Sequence, residues 1–99
     1  MYPDKPDPGS AVPKFSLGQT MMTPGVRDTL NHEDIIGAMA RHVRGDWGDV
    51  DAEDHQANEV ALKEGTRLFS VYHSMAGEKF WIITEADRAY TTVLLPEEY

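Results

Sequence analysis

The spacing of apolar residues changes at Gly65. Before it they recur at the three- and four-residue steps of a helix, and after it they fall into short blocks rich in β-branched and aromatic residues. A chain built this way places its helices first and its strands second, which is an α+β arrangement.

Three strands are predicted after the switch: Arg67 to Ser74, Lys79 to Glu85 and Tyr90 to Leu95. The connections Met75 to Glu78 and Ala86 to Ala89 are short enough for hairpins, so the strands form an antiparallel meander. Both alternating sets of the middle strand are apolar, with Phe80 and Ile82 on one face and Trp81 and Ile83 on the other. A sheet with one wet face does not read this way. Helices are expected over one face, and either the N-terminal strand region or a second subunit, in a homodimer, over the other.

Ahead of the switch, Thr23 and Pro24 form an N-cap followed by proline at the first helical position, opening a short helix that reaches Leu30. Asn31 is placed to cap a second helix, whose expected apolar face is Ile35, Ile36, Met39, Ala40 and Val43. Gly45 and Gly48 bracket Asp46 and Trp47 in a turn, which also makes Arg44-Gly45-Asp46 a helix exit rather than a recognition tripeptide. Asp51 is the third cap candidate, for a helix from Ala52 to Glu64 with a thin stripe of Ala57, Val60 and Ala61 and a stop at Gly65. The fold is therefore two or three helices followed by the meander, with Phe15 to Met22 as an added N-terminal edge strand. Residues 1–14 hold four of the six prolines and read as a disordered tail, leaving 15–99 as a single domain.

Composition narrows the function. The chain has no cysteine, which removes disulfides, thiolate metal sites and thiol nucleophiles together. No apolar run approaches the roughly 20 residues needed to span a bilayer, so the expectation is a cytoplasmic protein with no membrane partner. Net charge is −8, and six of those charges fall between Gly45 and Gly65, where seven acids meet one base, Lys63. Such a surface repels nucleic acid and attracts cationic protein grooves or metal ions, so a protein partner is expected and direct nucleic-acid binding is not.

Within that stretch Asp46, Trp47, Asp49, Glu53, Asp54 and Glu59 are the candidate binding residues. Trp47, between two glycines and among acids, suits either a core plug or an exposed anchor for a partner. Glu53, Asp54 and Glu59 are expected on the open face of their helix. His42 and His55 with Asp46, Asp49, Asp51 and Asp54 supply the ligand types of a zinc or manganese site, and a metal-dependent hydrolase is the alternative function. Their spacing matches no helical His-Glu-x-x-His and no calcium loop, so no metal, cofactor or catalytic residue is assigned. Ser70 and His73 lie three apart on one strand and so point to opposite faces, which rules them out as a nucleophile and base. At the Glu85-Asp87-Arg88 turn, Asp87 is expected in local hydrogen bonding and Arg88 in a surface ion pair.

Three blocks, Ala40 to Asp49, Trp81 to Arg88 and Thr91 to Tyr99, resemble a family of small bacterial proteins from plasmids, integrative elements and genomic islands. The resemblance spans Phe15 to Tyr99. It implies an accessory protein of a mobile element, with no enzymatic activity to carry over; the acidic segment adds the expectation that such a protein works by protein–protein interaction. In its sharper form such a protein inhibits host defence by placing carboxylates where a DNA-binding groove expects phosphates.

Overall fold

Thr23 begins the ordered helical region as its chemistry requires. In the computed structural model, which describes residues 12–99, its hydroxyl accepts from the Val26 N–H at 3.3 Å and Pro24 opens helix α1, Pro24–Thr29. Helix α2, His32–Val43, follows, then α3, Ala52–Glu64, capped by Asp51 through the Asp54 N–H at 2.8 Å. Residues 1–11 of the expected tail lie outside the described residues.

Four strands make one sheet: β1 Gln19–Met22, β2 Leu68–His73, β3 Lys79–Thr84 and β4 Tyr90–Leu94, in the order β1-β4-β3-β2. β2, β3 and β4 are the antiparallel meander, whereas β1 lies parallel to β4, with Gln19 opposite Tyr90 and Met22 opposite Val93. The sheet is therefore mixed, a feature that the apolar pattern does not encode. β1 is also shorter than the expected strand from Phe15. Gly18, at φ 64°, turns the chain hard against β4, and a Cβ there would collide with the Ala89 carbonyl.

Val26, Leu30, Ile35 and Ala38 pack from α1 and α2 onto Tyr72, Phe80, Ile82, Val93 and Leu95. A smaller cluster, Trp47, Ala61 and Leu68 with Phe15, Val50 and Leu62 against it, sits under α3. Both helices bury a different stripe from the expected one. On α2 the buried side chains are Ile35, Ala38 and His42, while Ile36 is 55% exposed and Ala40 faces out. On α3 they are Asn58 and Ala61, and Ala57 and Val60 are exposed. The reason is the same in each case: a polar side chain goes inward because the sheet offers it hydrogen bonds, and the helix rotates to suit.

The face of the sheet turned away from the helices is not met by the N-terminal strand region, which joins the sheet edge instead. A single 3-10 turn, Pro96–Glu98, carries Tyr99 back over that face, its ring 5.7 Å from Trp81. Arg67 donates to the Tyr99 hydroxyl at 2.7 Å and pairs with Glu85 at 3.4 Å, so Phe69, Trp81 and Ile83 on this face meet an aromatic and guanidinium layer.

Candidate functional site

The acidic segment folds back onto the outer edge of β2. Arg41 holds Asp46 through two bonds, 2.8 and 3.2 Å, and this contact keeps the Asp46 carboxyl below its ordinary range while raising the Arg41 guanidinium. Gly48, at φ 75°, then passes so close to β2 that a Cβ would collide with the Val71 carbonyl. Its neighbours form a parallel bridge: the Val71 N–H donates to Trp47 O at 3.1 Å, and the Asp49 N–H donates to Val71 O at 2.7 Å.

Trp47 is a plug and not an anchor. Only 2% of it is exposed; its ring stacks on Phe15 at 6.2 Å and meets His42 edge-on at 5.7 Å. The indole N–H donates to Glu59 Oε2 at 2.8 Å, so Glu59 is half-buried at work on the core rather than on the open face of α3. The expectation failed because a tryptophan buried at its rim needs an acceptor for its N–H, and the nearest carboxylate one helix away supplies it. Asp49 takes His73 Nδ1 at 2.8 Å. Of the six candidate residues, Glu53 and Asp54 alone have side chains with no hydrogen bond or ion pair among the described residues, and Glu64 at the far end of α3 is free in the same sense.

Asn58, at the middle of that helix, carries no sequence signal of a functional role. Its Oδ1 accepts from the Phe69 N–H at 3.0 Å and its Nδ2 donates to the Phe69 carbonyl at 2.7 Å. The side chain thus stands in for the peptide of a neighbouring strand.

Deeper in, a line of hydroxyls crosses the sheet through His42. Thr91 donates to the Leu17 carbonyl at 2.7 Å, which leaves its oxygen free to accept from Thr84 at 2.7 Å. Thr84, having given its proton, must accept from His42 Nε2 at 2.9 Å, so Nδ1 is the bare nitrogen and Ser70 donates to it at 2.6 Å. The order of donors fixes a neutral Nε2–H imidazole. Burial, aided by the Arg88 charge, pushes its pKa down to about 3. Here a serine does touch a histidine, but both are fully enclosed, and no substrate carbonyl can reach the Ser70 oxygen. Both ring nitrogens of His42 are also spent, so it offers nothing to a metal ion. His55 lies on the exposed side of α3, and among the described residues no three His, Asp or Glu side chains converge on a common point.

At the last hairpin, Asp87 accepts from the Ala89 N–H at 3.0 Å as expected. Arg88 makes no ion pair among the described residues. Its guanidinium donates to the carbonyls of Ala61, Thr66, Glu85 and Ala86 and thereby closes the C-terminal end of α3. Free carbonyls at a helix end compete well for a nearby cation.

No family model, characterised protein or solved structure matches the chain at a significant level. No helix among the described residues is long and apolar enough to cross a membrane.

Proposed function

We propose that this protein is a non-enzymatic binding module that acts by contact with another protein, in the manner of the mobile-element accessory proteins its sequence resembles. The observation that carries this reading is the division of labour among the carboxylates. Asp46, Asp49, Asp51 and Glu59 are engaged with Arg41, His73, the start of α3 and Trp47. They lock loop and helix into one rigid piece. Glu53, Asp54 and Glu64 project from that piece without partners among the described residues, giving an anionic surface of fixed shape suited to a cationic protein groove. Three free carboxylates on one helix are few for a row that imitates a phosphate backbone, so the DNA-mimic form of the reading has less support.

The test is capture from bacterial lysate by wild type and by a Glu53→Lys, Asp54→Lys, Glu64→Lys triple variant, both checked by thermal melting. A protein retained by wild type and lost by an equally stable variant supports the reading. Equal capture by both, or none by wild type, overturns it.

A further inference from the structure

The outward backbone groups of β1 follow from its pairing. The N–H groups of Gln19 and Thr23 bond to Ala89 O and Val93 O of the β4 side. In a parallel ladder that alternation directs Met21 the same way and turns the N–H and C=O of Thr20 and Met22 to the free edge. All four residues of β1 are exposed, and among the described residues nothing pairs with that edge. Beside it, between β1 and α2, lies a groove of about 370 Å³ lined by Leu17, Thr20, Met22, Ile35, Ile36 and Met39.

This edge carries no acid, lysine or arginine in either layer. Leu17 to Met22 contains no ionisable residue, and α2 lines the groove with His32, Ile35, Ile36 and Met39 while its acids Glu33 and Asp34 and its Arg41 face the other flank. In a chain of net charge −8, such a strip fits another uncharged strip, and the acid-rich loop and α3 stand at the opposite edge, on β2. Edge strands usually carry a charge or proline to prevent self-pairing, and this one carries neither.

We infer that β1 pairs with β1 of a second copy of this chain, antiparallel about a two-fold axis through Met21, to make an eight-stranded sheet. Thr20 then faces Met22 of the other copy, and each exchanges both outward backbone groups. The axis stands perpendicular to the sheet, so the two α2 helices meet on the same side and Ile36 of each enters the space beside the other. The contact is isologous and uses up both open edges. Growth ends at two chains because the outer edge of β2 is already occupied. This dimer is independent of the carboxylate surface and of the aromatic face around Trp81.

The test is the mass of the full-length protein by sedimentation equilibrium, with cross-linking to read the register. Wild type is expected at twice the 11.1 kDa of one chain. Thr20→Pro removes only an N–H directed at the free edge, and Ile36→Glu charges the helix layer; both are expected to give a folded monomer. The chain has no cysteine of its own, so Met21→Cys treated with diamide reports cleanly. Opposed residues of a non-hydrogen-bonded pair have Cα atoms about 4.5 Å apart, within disulfide reach. Met21→Cys is expected to form a covalent dimer, and Gln19→Cys is not. A monomeric wild type overturns the inference, as does a dimer that survives both Thr20→Pro and Ile36→Glu. So does a dimer lost instead on Tyr99→Ala, which would locate the interface on the aromatic face.

Discussion

The two outer strands of the sheet, β2 and β1, meet solvent on opposite terms. On β2 the outward groups of Phe69 are taken by the Asn58 side chain and those of Val71 by the backbone of Trp47 and Asp49. On β1 the corresponding groups of Thr20 and Met22 have no partner among the described residues. The closed edge carries the charge of the molecule and the open one carries methionine. A segment too polar to make a core has thus been used to finish a sheet, while the segment free to associate is the neutral one.

The contrast breaks most completely at Trp47, which is the core side of the closed edge. Trp47→Ala is expected to cost about 3–5 kcal/mol, the range for emptying a buried aromatic site, and to appear as a large fall in melting temperature. Acid comes next. The unfolded chain takes up a proton on His42 near pH 6.5, whereas the folded imidazole resists it until about pH 3. The unfolded state therefore binds more protons throughout that window, and stability falls as pH is lowered through it, by up to about 1.4 kcal/mol per unit. His42→Gln is expected to flatten the dependence of denaturant midpoint on pH between about 6 and 4. An unchanged slope would remove His42 as its source.

Asn58→Ala sharpens the comparison by reopening the closed edge. It leaves two part-buried groups of Phe69 without partners, and a loss of about 1–3 kcal/mol is expected in urea unfolding, the cost of orphaning such groups. Smallest are Glu53→Lys and Asp54→Lys, which touch neither edge. Each is expected to move stability by less than about 0.5 kcal/mol, as ordinary surface substitutions do. Glu59→Lys, one turn along, is expected to resemble the tryptophan variant in direction, because it removes the acceptor of the indole N–H.

Much of this architecture is readable from the chain alone. Thr23, Asp51 and Gly65 announce helix ends through local chemistry, and the strand cores at Leu68, Lys79 and Tyr90 follow from β-branched and aromatic runs. What escapes is whatever depends on a distant partner. The parallel pairing of β1 with β4 is set by Gly18 against Ala89, and the inward turn of His42 by Ser70 and Thr84. A hydrophobic count assigns Ile36 to the core and His42 to the surface because it scores side chains singly. Buried polar residues earn their place by satisfying each other, and that is a property of pairs. For the same reason Glu59 read as a free carboxylate and Arg88 as a surface cation.

The parallel placement of β1 also has a consequence for how the chain is made. Thr91 bonds to Leu17 across 74 residues and Thr23 to Glu98 across 75, so β1 waits for the synthesis of β4 before it has a neighbour in the sheet. Until then Met21 and Met22 have no sheet to join, although α2 and α3 can already form locally. Closing so long a loop is slow, and the sheet becomes complete only after β4 has been made. The methionine edge is thus the last part of the sheet to be fixed in place.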